Sequence, residues 1–313
     1  MAINLSHINS KTCFPLKTRS DLSRSSSARC MPTAAAAAFP TIATAAQSQP
    51  YWAAIEADIE RYLKKSITIR PPETVFGPMH HLTFAAPATA ASTLCLAACE
   101  LVGGDRSQAM AAAAAIHLVH AAAYVHEHLP LTDASRPVSK PAIQHKYGPN
   151  VELLTGDGIV PFGFELLAGS VDPARTDDPD RILRVIIEIS RAGGPEGMIS
   201  GLHREEEIVD GNTSLDFIEY VCKKKYGEMH ACGAACGAIL GGAAEEEIQK
   251  LRNFGLYQGT LRGMMEMKNS HQLIDENIIG KLKELALEEL GGFHGKNAEL
   301  MSSLVAEPSL YAA

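Results

Sequence analysis

From Tyr51 onward almost every stretch of this chain repeats its apolar residues with the period of a helix, and almost none alternates as a strand would. In Tyr51–Lys65, Ile55, Ile59, Tyr62 and Leu63 fall on one face, while Glu56, Glu60, Lys64 and Lys65 lie elsewhere. Pro71–Pro72 closes that segment. The stretch from Ala88 to Val102 stops at Gly103–Gly104, and Asp105 or Ser107 is placed to cap the alanine-rich helix that follows. Asp178–Pro179 starts another helix, which Gly193–Gly194–Pro195 ends. Long helices come next around Leu215–Leu240, interrupted in pattern near Gly227, and Ala244–Met267; further helical segments cover Asp275–Leu290 and Asn297–Ala306. No linker between them is long enough to separate domains, so residues 49–313 are expected to form one all-α domain.

The first 48 residues are a different material: Ser, Thr and Ala with the basic Lys11, Lys17, Arg19, Arg24 and Arg29, and Asp21 as the one acid. Such a stretch buries too little apolar surface to offset its ordering entropy and is expected to be disordered. Lacking the continuous apolar core of a secretory signal, it reads as an organelle transit peptide, for a plastid ahead of a mitochondrion. A formal charge of −8 argues against a nucleic-acid partner. The most apolar stretch, Ala109–Val125, contains His117 and His120 and is shorter than the roughly 20 residues a bilayer core requires, so it is expected to be a buried helix. Seven cysteines without a secretory signal are expected to be reduced thiols.

Five phrases carry a resemblance: LCLAACELVGGD (Leu94–Asp105), KPAIQHKYG (Lys140–Gly148), LLTGD (Leu153–Asp157), FGFELLA (Phe162–Ala168) and CGAILGG (Cys236–Gly242). By these the chain resembles the trans-prenyltransferase family, specifically plant geranylgeranyl diphosphate synthases, from about residue 52 to the C-terminus. The resemblance implies an isoprenoid-synthase-type helical bundle around a central cavity. It also implies a reaction that ionises an allylic diphosphate, with Mg²⁺ ions held by carboxylates on two facing helices.

This chain departs from that pattern at three places. The family's DDxxxxDxD motif is met by Glu127-His128-Leu129-Pro130-Leu131-Thr132-Asp133-Ala134-Ser135, where two aspartates have become His and Ser and another has become Glu. Neutral imidazole and hydroxyl bring no charge to a hard cation. The late DDxxD motif falls on Glu266-Met267-Lys268-Asn269-Ser270, with one carboxylate left beside a lysine. The GKRxRP diphosphate clamp aligns onto Pro87-Ala88-Thr89-Ala90-Ala91-Ser92, and all three basic residues are gone. A phosphate site without cations loses its main source of affinity. The central cavity is therefore expected to be degenerate, with no catalytic residue and no metal bound. Glu127, His128, Asp133 and Glu266 are the degenerate motif positions. Lys140, His145, Asp157 and Lys225 are read first as solvated charges and second as residues that still hold structure. His117, His120 and His126 have poor ligand spacing and are read as packing or polar-network residues.

A catalytically empty, plastid-directed member of this family resembles the small subunits of heteromeric geranyl diphosphate synthases. Two CxxxC motifs, Cys95/Cys99 and Cys232/Cys236, place paired thiols on one helix face, with Ala and Gly between them that let another helix approach closely. In the family such motifs mark the contact between small and large subunits, and the resemblance assigns these four cysteines to partner binding; buried core filling is the competing reading. The implied function is that of a noncatalytic regulatory subunit. It binds a geranylgeranyl-diphosphate-synthase-like large subunit, as a heterodimer or heterotetramer, and directs product toward ten-carbon geranyl diphosphate. Mg²⁺ is expected in the catalytic partner. Two alternatives stay open: a divergent stand-alone synthase using Glu127, Asp133, Glu205 and Glu266 as metal ligands, and a non-enzymatic plastid scaffold. The glycine-rich, acidic stretch Gly193–Asn212 reads as an exposed loop or as a mobile loop near the partner site.

Overall fold

The computed structural model describes residues 42–129, 144–174, 178–208, 213–271 and 276–306, which fall in one compact unit spanning 37–313. No strand occurs among the described residues. Helix α1 (Ala45–Ser66) begins upstream of the expected boundary at residues 48/49, because Gln47 Oε1 accepts the free amide of Thr44 at 3.1 Å and so starts the helix there. Its predicted apolar face is buried through Ile55, Ile59 and Leu63. Then follow α2 (Glu73–Ala85), α3 (Ala90–Leu101) and α4 (Arg106–His128). Gly103, at φ 88°, takes the left-handed conformation that lets α3 turn, and Asp105 caps α4 by accepting the Ser107 amide at 2.8 Å.

Helix α4 has 23 residues and is by length and apolarity able to cross a membrane, longer than the expected 109–125. Its surroundings identify it as a core helix instead. Ala109, Ala111–Ala115, Ile116 and Leu118 are buried against α3, α5 (Pro149–Ala168) and α9 (Glu228–Gly241). Arg106 at its start ties three helices together, reaching Asp58 on α1 at 2.7 Å and Glu100 on α3 at 3.1 Å.

The second half holds α6 (Asp178–Gly193), α7 (Met198–Glu205), α8 (Leu215–Cys222), a π-helical turn (Lys223–Gly227) leading into α9, then α10 (Glu245–His271), α11 (Glu276–Glu289) and α12 (Lys296–Ala306). The π turn is the structural form of the interruption expected near Gly227. The stretch 193–212 contains a helix rather than only a loop. Gly201 on α7 has no side chain, so α7 lies directly against the backbone of Lys224 and Lys225; residues 209–212 lie outside the described part.

Candidate functional site

Two sites follow from the degenerate motifs, one at the C-terminal end of α4 and one at the α2–α3 junction. At the first, α4 carries Glu127 to its last turn, α7 ends on Glu205, and the π turn directs Lys225 between them. Lys225 Nζ donates to Glu127 Oε1 at 3.0 Å and to Glu205 Oε2 at 2.7 Å, and it lies 5.3 Å from the centre of the Tyr226 ring. The lysine is 8% exposed. Burial opposes its charge, yet Tyr226, Glu127 and Glu205 around it hold its pKa above the ordinary lysine value, so it is ammonium.

Glu266 on α10 is exposed and comes to the same end of the bundle. The Tyr124 hydroxyl has its pKa raised by burial and then by both Glu127 and Glu266. Tyr124 thus lies within electrostatic reach of one carboxylate from each motif position. His128 turns back onto its own helix, with Nδ1 2.7 Å from the Tyr124 carbonyl oxygen and its ring 4.3 Å from the Tyr124 ring. Asp133 and Lys140 lie outside the described residues.

These side chains do not fit Mg²⁺. Two of the carboxylates are bridged by an ammonium, His128 is held by the backbone, and among the described residues no three Asp, Glu, His or Cys side chains gather as a ligand set.

The second site is a cavity of about 360 Å³ where the basic clamp would stand, bounded by α1, α2, α3 and α4. Ala88 and Ser92 of the aligned segment line it, together with Thr83, Thr93, His117 and two glutamates of α1, Glu56 and Glu60. Among the described residues no lysine or arginine lines it. His117 is buried, which lowers its pKa, and its Nε2 lies 3.1 Å from the Thr83 carbonyl oxygen, so the imidazole is neutral at pH 7. Burial raises the Glu56 pKa, against the opposing pull of Arg262. Where the family pattern puts three cations, this cavity is lined by two carboxylates, Glu60 being paired with Lys64 at 2.6 Å.

The four motif cysteines lie elsewhere. Cys95, Cys99, Cys232 and Cys236 are 0–1% exposed on the packed helices α3 and α9, with the Cys95 thiol toward the Ala109 carbonyl oxygen at 3.9 Å and the Cys99 thiol toward that of Asp105 at 3.3 Å. Cys232 and Cys236 sulfurs are 3.7 Å apart and unbonded. Burial raises the pKa of Cys95 and Cys236 well above that of a free thiol, so both stay protonated. The close helix approach permitted by the small residues is made within the chain, by α9 onto α3. Within the chain these thiols take part in the packing that shapes the two helices.

Other charges hold structure. Glu152 is fully buried and accepts the Lys146 and Tyr147 amides at 3.2 and 3.1 Å, with His145 Nδ1 at 2.6 Å, ordering the entry to α5. His126 Nε2 is 3.2 Å from the Leu153 carbonyl oxygen and 3.8 Å from Asp157. The cavity roles of Glu56 and Glu60, and the bridging role of Lys225, escape the sequence reading. The π interruption was the one available signal for Lys225, since it breaks the register of the Lys223–Lys225 run.

No family model matches the chain. A chloroplastic small subunit 2 of a heterodimeric geranylgeranyl pyrophosphate synthase from Cannabis sativa is 48% identical over 263 residues, covering 82% of this chain and 91% of that protein. A solved chain from a deletion mutant of mint heterotetrameric geranyl pyrophosphate synthase, in complex with ligands, is 96% identical with a TM-score of 0.77, covering 82% of this chain and 99% of that one. The geranyl diphosphate synthase small subunit of Antirrhinum majus is 60% identical, with a TM-score of 0.76 and coverage of 83% and 99%. With its helical bundle, emptied motifs and a match to such proteins over 82–83% of its length, this chain belongs to the family of small subunits of plant heteromeric geranyl and geranylgeranyl diphosphate synthases.

Proposed function

We propose that this chain is a noncatalytic regulatory subunit. It binds a geranylgeranyl-diphosphate-synthase-like large subunit in the plastid and shifts that enzyme's product toward ten-carbon geranyl diphosphate. The observation that supports the noncatalytic reading is the cavity at the α2–α3 junction, lined by Glu56 and Glu60 and, among the described residues, by no lysine or arginine. An isoprenoid diphosphate entering it meets, in place of a cationic clamp, two glutamates that already engage the nearby cations, Glu60 with Lys64 at 2.6 Å and Glu56 under the pull of Arg262. The stand-alone synthase reading requires Glu127 and Glu205 as metal ligands, and Lys225 stands between them.

The partner reading is supported by relatives that are subunits of heterodimers and heterotetramers. Val151 and Leu154 on α5 add apolar surface for a partner to cover, Leu154 being 70% exposed. The ten-carbon product is supported by the mint and Antirrhinum relatives, both of geranyl diphosphate synthases. The plastid is supported by the chloroplastic Cannabis relative and by the basic, serine-rich residues 1–48. Mg²⁺ and both substrates belong to the large subunit in this reading. A subunit shifts a product ratio only by contacting the states of its partner differently.

The test is product chain length from the large subunit, with and without this chain, supplied with isopentenyl and dimethylallyl diphosphates and Mg²⁺. The geranyl fraction is expected to rise several-fold, while the isolated chain gives no turnover. An unchanged product ratio in a formed complex sinks the regulatory reading; Mg²⁺-dependent condensation by the isolated chain sinks the noncatalytic one.

A further inference from the structure

In the cavity bounded by α1 to α4, the hydroxyls of the floor have already given their protons away. Thr83 Oγ1 donates to the Met79 carbonyl oxygen at 2.8 Å, Ser92 Oγ to that of Thr89 at 2.8 Å and Thr93 Oγ1 to that of Ala90 at 3.0 Å. Each oxygen has only lone pairs left to offer. His117 follows the same rule. A carbonyl oxygen cannot donate, so the Nε2 that lies 3.1 Å from the Thr83 carbonyl oxygen carries the ring proton, and Nδ1 of the neutral imidazole is a bare acceptor. His117 is 8% exposed, and its Nδ1 has no hydrogen-bond partner. Unlike Nε2 of His120 and His230, that nitrogen is not sealed from solvent, and its opening is the cavity that His117 lines.

Much of the remaining lining is hydrocarbon, from Ile59 and Leu63 of α1 and Phe84 of α2. The one strong negative charge on the exposed rim, Glu60, is met by Lys64, whose Nζ also lies 5.8 Å from the centre of the Phe84 ring. The cavity therefore does not demand a cation, and its lone pairs turn away a ligand that brings only acceptors of its own. At about 360 Å³ it stands at the small end of ligand pockets, which run from about 300 to 1,000 Å³.

We infer that this cavity binds a neutral, largely apolar molecule carrying a hydroxyl group, whose proton is received by His117 Nδ1 while its hydrocarbon part covers Ile59, Leu63 and Phe84. Meeting a buried acceptor that otherwise has no partner supplies the selectivity, because an analogue without the donor fills the same space and leaves that nitrogen unmet. The chemistry is the reverse of a diphosphate clamp, which donates to an anion. Binding of this kind needs neither metal nor large subunit, so it is separate from the product-directing role.

The experiment titrates the full chain, labelled with ¹⁵N at histidine, with 1-octanol, with its isomer heptyl methyl ether, with octylammonium and with inorganic pyrophosphate. Affinities come from calorimetry, and the His117 Nδ1 resonance is identified by its loss in His117→Gln. Octanol is expected to bind saturably and to shift that resonance, with the ether about tenfold weaker and pyrophosphate without effect. Ala57→Leu adds bulk at the exposed rim and leaves the histidine in place, and it is expected to weaken octanol about tenfold or more. Equal affinity for alcohol and ether, an unmoved Nδ1 resonance, or full octanol affinity in Ala57→Leu overturns the inference. So does tighter binding of octylammonium or pyrophosphate than of octanol, which would make the site one for ions. If His117→Gln does not fold, the ether contrast and Ala57→Leu decide by calorimetry alone. The product ratio of the heteromer enters none of these readouts, so failure here is distinct from failure of the regulatory reading.

Discussion

His230 is a residue with nowhere to put a second proton. Its Nδ1 lies 2.7 Å from the Tyr226 carbonyl oxygen, while its Nε2 is sealed from solvent and makes no hydrogen bond among the described residues. Burial, reinforced by the nearby Arg262, lowers its pKa to about 4. His120 is pushed to about 3, by burial first and then by His117, and its Nε2 is equally sealed. In the unfolded chain both titrate near about 6.5. Below that pH the unfolded chain takes up protons that the folded chain refuses, so stability falls as pH drops from about 6.5 toward 4 and gains nothing further above 7. Each histidine contributes a slope of about 1.4 kcal/mol per pH unit in that window. Replacing His230 with Gln should flatten the curve of unfolding free energy against pH between 6.5 and 4.5, as measured by urea titration at each pH; an unaltered slope would falsify the assignment. The type of role was legible for these residues, because histidines on an apolar face with poor ligand spacing point to packing. Which ring nitrogen lacks a partner was not, since that depends on a carbonyl one turn away and on the helix packed outside.

Between helices, α3 and α9 show how small residues set geometry. A methyl group added at Gly237 would run into the Cys95 carbonyl oxygen, and one at Gly233 into that of Ala91. Both obstacles are backbone, which cannot rotate aside. Gly237→Ala is therefore expected to destabilise the chain by about 2–4 kcal/mol, although alanine is the better helix former. Gly158→Ala on α5 is the control: its added methyl meets open space, so helix propensity alone should make it neutral or stabilising by up to about 1 kcal/mol. Urea unfolding of the two variants beside wild type measures the contrast. The spacing of Ala, Gly and Cys announced that another helix comes close, but periodicity runs along one dimension and does not name the neighbour. Both CxxxC motifs announced such a contact, and each turns out to answer the other. Helix α7 was illegible for a related reason: its one glycine, in a glycine-rich stretch, looks like a loop residue until Gly201 is seen resting on the Lys225 backbone.

For the whole molecule, the periodicity and caps of the sequence were enough to give the all-α architecture, and the phrases near Leu94 and Cys236 were enough to give its family. Cavity chemistry was harder to read because it is assembled from separated pieces, with Glu56 and Glu60 arriving from α1 to face the segment around Ala88. The buried thiols supply a test of the assembled fold. Cys95, Cys99, Cys222, Cys232 and Cys236 are all buried, so a maleimide should label them only as fast as the structure opens, with or without a large subunit present. Mass spectrometry of the cysteine-containing peptides reads this directly. Rapid labelling of Cys95 or Cys236 in the free chain, suppressed by the partner, would place the thiols at the subunit contact after all. The π turn at Lys223–Gly227 has a consequence of its own. A turn closed i→i+5 holds one residue more than its α-helical counterpart, and each residue of an α-helix sweeps about 100°. Losing a single residue there would restore an ordinary α turn, keep α8 and α9 in phase, and change which side chain the turn presents between α4 and α7. What distinguishes this corner of the bundle is thus written in the length of the chain, where exchanging one side chain for another does not reach it.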